Sequence, residues 1–169
     1  FGNKQGLFEA VVGAPREEHL QLLIDKPSGR PIDEELLDIA RAFLTSAIRP
    51  DSIAMIRMMI GESGVLPEVS QMIWEVGPVR VHDKLANYFR LQAEAGVLNV
   101  PDPMLAARQF IGVTRAGLDV QVICGVTKPT KALIDHQAKL GVDLFLNGLR
   151  AQGGVKAPAR QAGARKKTA

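Results

Sequence analysis

The sequence predicts an all-α fold, and three of its features point that way. Apolar residues recur at spacings of three and four along most of residues 1–150, which is the period of an amphipathic helix. Alternation of apolar and polar residues, which marks a half-buried strand, never runs far. Proline, glycine and N-capping side chains divide the chain into segments of helical length. We therefore expect a bundle of helices and no sheet.

The first predicted helix runs from Lys4 to Val12, after Asn3, whose side chain is a good N-cap. A cation such as Lys4 at a helix start opposes the macrodipole, so an anionic partner there would remove the conflict. Pro15 is expected to kink this helix, which then continues over residues 16–24.

The next two predicted helices differ in kind. Residues 26–31 form a loop, and the helix after it begins with three acidic residues and is closed by Arg49 and Pro50. The helix over residues 51–63 is apolar nearly all round, so we expect other helices to surround it. Its methionines favour either an adaptable ligand-binding wall or a plain buried core helix. The apolar stripe of the earlier helix is Ile32, Leu36, Ile39, Ala40, Phe43 and Ala47.

The second half of the chain contains further predicted helices. One starts at Pro67, is broken and restarted at residues 77–78, and stops at Gly96. A long helix capped by Asp102 is expected to run to about Cys124, and a last helix covers residues 130–150. Glycines inside the long helix, at positions 112 and 117, predict the close approach of a neighbouring helix.

The net charge of +3 is divided unevenly along the chain. Residues 151–169 hold five basic residues and no acid, which leaves residues 1–150 with a net charge of −2. This tail is rich in glycine, alanine and proline, so we expect it to be disordered. It is either a solvated end that aids solubility or a weak, salt-sensitive contact for nucleic acid.

Several classes of site and protein are disfavoured by the sequence. The single cysteine, Cys124, excludes an internal disulfide and a cysteine-based zinc site, and it is interpreted as a small core residue. His19, His82 and His136 lie on separate predicted helices, so no zinc signature exists. No phosphate-binding glycine loop or hydrolase motif occurs, so we predict no catalytic residues and no cofactor. Because no apolar run reaches about 18 residues, we expect a cytoplasmic protein without a membrane span.

The stretch FGNKQGLFEAVV at residues 1–12 resembles the junction that follows the helix-turn-helix of TetR-family transcriptional regulators. The likeness rests on the aromatic Phe1, on Lys4 and on the pair Leu7 and Phe8. It implies that Phe1 packs into the DNA-binding head, that Lys4 contacts a DNA phosphate, and that the rest of the head is missing from this chain. An ordinary amphipathic helix is the alternative interpretation of these residues.

A second set of features resembles the TetR branch with an AefR-like C-terminal domain. The features are GESG at residues 61–64, Gly-Pro at 77–78 and Asp-Pro at 102–103, within a likeness that spans residues 53–150. The implied organisation is a remnant of the head over residues 1–12, a ligand-binding and dimerisation domain over 13–150, and the basic tail over 151–169.

The resemblance implies a ligand-responsive repressor that binds operator DNA as a homodimer and releases it when an unidentified small molecule binds the helical body. A headless dimerisation or adaptor module without sequence-specific DNA binding stays open as an alternative. A helical enzyme is a third possibility, whose turnover would depend on Tyr88, His82 or Arg115.

Candidate site residues follow from the chemistry of a mostly apolar cavity with a few polar anchors. Arg115 suits an anionic or acyl-type ligand, although an ion pair with Asp119, one helical turn on, is the alternative. The predicted ligand-binding residues are Met58, Trp74, Tyr88, Phe89, Phe110, Thr114 and Arg115. The resemblance further implies that the last two long helices form a four-helix dimer interface, and packing of these helices within one subunit is the alternative. The implied interface residues are Gly117, Val120, Leu133, Gln137, Leu140, Gly141, Leu144, Phe145 and Gly148.

Overall fold

The computed structural model describes residues 26–65 and 67–149, and every structural statement below concerns these ranges. The predicted helices over 4–12 and 16–24, the residue Lys4 and the basic tail lie outside them. The described part contains helices and no strand, which confirms the all-α prediction. A π-helical segment, Glu75–Val79, joins the third helix to the fourth. The α-helices are α1 (Ile32–Ala47), α2 (Pro50–Glu62), α3 (Pro67–Trp74), α4 (Arg80–Glu94), α5 (Pro103–Arg115), α6 (Leu118–Ile123) and α7 (Lys131–Leu149).

The main core lies among α1, α4, α5 and α7. Helix α4 runs along α5, and α7 packs against both α1 and α5. The predicted stripe of α1 is confirmed, because its central apolar residues are buried and its two end residues are partly buried. The buried aromatic residues of this core are Phe43, Tyr88, Phe89, Phe110 and Phe145.

Helix α2 lies at the surface of the described chain, so the prediction that other helices surround it was wrong. Among the thirteen residues of α2, all of them described, Ile53 alone is buried. Met55 and Met59 pack against α3, whereas Ile60 is 58% exposed. Helix α2 therefore has one apolar face packed on α3 and a second apolar face that the described part of the chain leaves exposed.

The predicted break at Gly77 and Pro78 was also wrong. The chain stays helical from Pro67 to Glu94, and the proline lies inside the π-helical segment. The wider turn of a π-helix accommodates a residue that lacks a backbone N–H and whose ring crowds the preceding turn. Gly96 ends α4 with a φ of 71°, as predicted.

Helix α5 begins as predicted but ends early. The Asp102 carboxylate accepts a hydrogen bond from the Leu105 amide at 2.9 Å, which confirms the cap. The predicted continuation to Cys124 was wrong, because Ala116 (φ 39°) and Gly117 (φ 83°) adopt left-handed conformations and separate α5 from the short α6. Cys124 is exposed and is not the core residue expected from the sequence.

The close helix approach predicted at Gly112 and Gly117 is found at another glycine. Neither of those glycines has an atom within 4 Å of the position where a Cβ would stand. At Gly141 of α7, by contrast, a Cβ would lie 2.8 Å from the Thr114 Cα. The α5–α7 contact therefore depends on a glycine in the last helix.

Candidate functional site

Four of the predicted ligand residues lie inside the main core. Tyr88, Phe89, Phe110 and Thr114 are all fully buried, at 0% exposure. The Phe89 and Phe110 rings meet edge to face, with centroids 5.8 Å apart. Each of them also lies within about 5 Å of the Phe145 ring, at 5.2 and 5.1 Å. These side chains contact one another and fill the space between α4, α5 and α7.

Trp74 and His82 form a second group, at the α3 side of α4. The Trp74 side chain is 51% exposed, and its ring centroid lies 6.4 Å from that of the half-buried His82. Both residues belong to the continuous helical run from Pro67 to Glu94. Met58 is half-buried on α2, which packs against α3. An aromatic face is thus open at the surface here.

The side chain of Arg115, the last residue of α5, forms an ion pair, contacts an aromatic ring and has one donor without a partner. Its Nη1 pairs with Asp119 Oδ2 at 3.3 Å, so the ion pair considered from the sequence is confirmed. Its guanidinium carbon lies 5.1 Å from the centre of the Phe43 ring, in cation–π geometry. Its Nε is buried and has no hydrogen-bond partner. Burial lowers the pKa of Arg115, while Asp119 raises it in part.

Two arginines of α5, Arg108 and Arg115, lie close enough to His82 at the start of α4 for their charges to act on its imidazole. The two helices pack along each other and are joined only by residues 95–102, so they run antiparallel, and this brings His82 and Arg115 to the same end of the pair. Burial, together with the charges of Arg108 and Arg115, lowers the pKa of His82, and the charge of Asp83 offsets this only in part. We name the surface made by Trp74, His82, Arg108 and Arg115 the cationic aromatic surface. An orphaned donor, a cationic field and an exposed ring suit an aromatic compound that carries an anionic or acceptor oxygen.

The sequence prediction missed Glu35, which is buried at 0% exposure. Its Oε1 accepts hydrogen bonds from the Ser28 amide at 2.8 Å, the Ser28 hydroxyl and the Arg30 amide at 3.2 Å. Its Oε2 accepts from the Tyr88 hydroxyl at 2.6 Å and the Gln92 amide at 3.4 Å. The available signal was its spacing of four from Ile39, combined with the spacing of four between Tyr88 and Gln92.

These hydrogen bonds determine the ionisation of the cluster. Burial by itself would raise the pKa of Glu35, but the bonds from Ser28, Tyr88 and the Arg30 amide together lower it below its usual value. Burial and the bond to Glu35 raise the pKa of Tyr88. A buried carboxylate therefore faces a neutral phenol at neutral pH.

A shallow groove of about 440 Å³ separates the second half of α1 from the start of α7. It contains the ion pair between Arg41 Nε and Asp135 Oδ1, at 2.9 Å. Sequence reasoning did not single out its lining, which is Arg41, Thr45, Ile48, Pro129, Thr130, Lys131, Ile134 and Asp135. Within the described ranges no group of His, Cys, Asp and Glu side chains is placed to hold a metal ion. None of the described helices is both long enough and apolar enough to cross a membrane.

The family model for the C-terminal domain of AefR-like transcriptional repressors matches residues 34–148. The chain belongs to the TetR family, in the branch with this domain. A solved structure named Flavonoid-responsive Regulator FrrA is similar to this TetR-family chain, with a TM-score of 0.79 and 28% identity, over 90% of this chain and 78% of that one.

Two further solved structures share the fold of this TetR-family chain. A putative TetR-family regulator from Mesorhizobium loti gives a TM-score of 0.78 at 21% identity, over 88% of this chain and 76% of its own. A TetR regulator from Agrobacterium tumefaciens gives 0.72 at 22% identity, over 88% and 74%. Among curated proteins, none matches the sequence.

The nine residues predicted for the dimer interface of this TetR-family chain face two ways. Gly141 and Phe145 are buried within their own subunit, where they contact α5 and the core, as the alternative of packing within one subunit predicts. Val120, Leu140 and Leu144 are exposed by 57%, 51% and 64%. Of the others, Gly117 and Gly148 are exposed, and Leu133 and Gln137 are half-buried. The outer side of α6 and α7 thus presents large apolar side chains.

Proposed function

We propose that this protein is a ligand-responsive transcriptional regulator that binds operator DNA as a homodimer and acts as a repressor. The family match over residues 34–148 supports this, because the matched domain is that of transcriptional repressors. The observation that carries the ligand-responsive part is the cationic aromatic surface, with the buried, unpaired Nε of Arg115. The 28% identity to a regulator named as flavonoid-responsive indicates a ligand class.

The proposed effector is a planar aromatic compound with phenolic or carboxylate oxygens, such as a flavonoid. Trp74 offers an exposed ring for stacking, and such contacts between rings are worth about 0.5–1.5 kcal/mol beyond the area they bury. A buried donor without a partner costs about 1–3 kcal/mol. An effector oxygen that accepts a hydrogen bond from Arg115 Nε would remove this penalty on binding.

The remaining predicted ligand residues are assigned by their exposure. Met58 is half-buried and has a flexible side chain, so we place it with Trp74 and Arg115 among the residues that contact the effector first. Because Tyr88, Phe89, Phe110 and Thr114 are fully buried, they contact the effector only if the core rings move apart.

The proposed mechanism is a linked equilibrium. An effector that binds one conformation of the helical body more tightly shifts the dimer toward that conformation. The two DNA-binding heads must sit on half-sites about one helical turn apart, about 34 Å, so a small change in their separation weakens binding. Lys4, at the start of the connecting helix predicted from the sequence, is the proposed DNA phosphate contact.

The effector proposal is tested by titrating flavonoids against the fluorescence of Trp74, the only tryptophan of the chain. We expect saturable quenching, and about tenfold weaker binding in Arg115→Gln, which corresponds to about 1.4 kcal/mol. The matched control is Arg90→Gln, since Arg90 is exposed on α4 and pairs with Glu94 and Asn87. If no flavonoid changes the fluorescence or the melting temperature, the proposed ligand class is wrong.

The DNA-binding proposal is tested by gel shift with the full-length regulator and fragments from around its own gene. A repressor is expected to bind one fragment specifically at physiological salt and to lose affinity when the effector is added. Binding that shows no sequence preference and disappears with salt would instead support the adaptor alternative.

A further inference from the structure

The Glu35 carboxylate joins two parts of the chain that are distant in sequence. Its Oε1 is occupied by the Ser28 and Arg30 donors of the segment that leads into α1. Its Oε2 is occupied by Tyr88 and Gln92, on α4. Tyr88 and Gln92 also bond each other, at 2.9 Å. One side chain therefore holds the segment at residues 26–31 and α4 in a single hydrogen-bonded cluster.

A buried charge is a poor way to stabilise a helical core. Well-packed apolar residues in place of buried ionic groups are often neutral or stabilising, because burial removes the charge from water. A hydrogen-bonded carboxylate instead fixes the relative positions of the groups that donate to it, because each hydrogen bond weakens steeply when its distance or angle changes. The cluster therefore prescribes how α4 lies relative to the segment before α1 more strictly than apolar contacts could.

We propose that Glu35 is a positioning residue that couples α4 to the segment at residues 26–31, and so transmits the effector signal toward the DNA-binding end of the chain. The proposal rests on the proposed function, because it takes the cationic aromatic surface as the effector site. Trp74 lies fourteen residues before Tyr88 in one uninterrupted helical run, about 20 Å along the helix axis.

A small displacement of α4 is sufficient for this coupling. The Tyr88–Glu35 bond is 2.6 Å long, and a shift of about 1 Å takes such a pair beyond hydrogen-bond range. The carboxylate must then either follow α4 and release Ser28 and Arg30, or leave the buried Tyr88 O–H without an acceptor, since Gln92 only donates to that hydroxyl. Because coupling between sites is reciprocal, a change at Glu35 must also be felt at the Trp74 end.

The test uses the whole chain and two NMR readouts, neither of which needs an effector. The first is the amide hydrogen exchange of Ser28 and Arg30, measured relative to amides of α7. The second is the indole Nε1–H resonance of Trp74, which is a single signal because the chain has one tryptophan. The variants are Glu35→Gln and Tyr88→Phe, and the second keeps the test valid if the first folds poorly.

The matched controls remove similar groups outside the cluster. Asp33→Asn changes a neighbouring acid of the same first turn of α1, whose side chain is exposed. Thr127→Val removes a hydroxyl that donates a hydrogen bond to Gln121 at 2.7 Å, outside the Glu35 cluster and the proposed effector site. Both controls are expected to leave the two readouts as they are in the parent protein.

We expect Tyr88→Phe and Glu35→Gln to speed the exchange of the Ser28 and Arg30 amides about tenfold and to move the Trp74 resonance, since a hydrogen bond to a charged group is lost. Faster exchange with an unmoved Trp74 signal would mean that Glu35 only anchors the segment, which overturns the proposal. Unchanged exchange in Tyr88→Phe would overturn it as well. A failed flavonoid titration with both readouts changed would reject the effector class and leave the coupling intact.

Discussion

Three neighbouring acidic residues at the start of α1 have different roles, although all three lie in the same first turn of the helix. Asp33, Glu34 and Glu35 all complement the positive end of the helix dipole, which is how the sequence was interpreted. The structure exposes the first two and buries the third against Tyr88. Helical periodicity places Glu35 on the buried face, but its partners come from elements distant in sequence.

Glu35 should make the stability of the protein depend on pH. Its pKa is lower in the folded state than the usual value of 4.5, so the folded state binds fewer protons than the unfolded state in this range. Its stabilising contribution is therefore fully present above pH 4.5 and is lost as the pH falls through the folded pKa. Glu35→Gln should unfold about 2 kcal/mol more easily at pH 7, since an amide cannot accept from all these donors.

Urea unfolding at a series of pH values between 3 and 7 measures this prediction. The Glu35→Gln variant should lose less stability than the parent protein as the pH is lowered. Asp33→Asn, which changes an exposed acid of the same helical turn, should follow the parent curve. Parallel curves for Glu35→Gln and the parent would show that the carboxylate contributes nothing specific to its ionised form.

At the scale of elements, local signals predicted helix starts better than helix continuity. Asp102 and the following proline marked the start of α5 correctly, because a cap is a local interaction. Periodicity did not predict that α5 ends at Arg115, before the left-handed Ala116 and Gly117, or that the helix continues through Pro78. The first depends on a left-handed backbone and the second on a wider turn, and neither changes the spacing of apolar residues enough to be recognised.

The contact between α5 and α7 should depend on Gly141. A Cβ at this position would stand 2.8 Å from the Thr114 Cα, which is backbone and cannot rotate away. Gly141→Ala should therefore push the two helices apart and destabilise the protein by about 2 kcal/mol. Gly112→Ala is the matched control, because open space surrounds that glycine and alanine favours a helix by about 1 kcal/mol.

Chemical unfolding of both glycine variants separates packing from helix propensity. Opposite changes in stability, with Gly141→Ala less stable and Gly112→Ala more stable than the parent, are the expected result. Similar changes in both would mean that the α5–α7 approach is not restrictive at Gly141.

At the scale of the whole molecule, the family and the helical fold could be predicted, whereas the site could be predicted only in part. A short motif resemblance and helical spacing sufficed for the fold. The aromatic residues chosen for the ligand site included Phe89 and Phe110, which contact each other in the core. Tertiary packing decides whether an aromatic side chain faces the core or a ligand. The spacing of residues within one helix does not determine that packing.

The exposed apolar side of α6 and α7 leads to a prediction about assembly. Leu144 is 64% exposed and Leu140 is 51% exposed, on the same side of α7 as the half-buried Gln137. If a second subunit covers this surface, Leu144→Asp buries a carboxylate twice in a two-fold interface and should weaken dimerisation at least about hundredfold, or about 2.7 kcal/mol. Sedimentation equilibrium measures the change.

Leu105→Asp makes the same substitution at a 49% exposed position on α5 and should leave the dimer intact. A Leu144→Asp variant that dimerises like the parent would place the interface on another surface, and the heads would then need a different geometry to reach two half-sites.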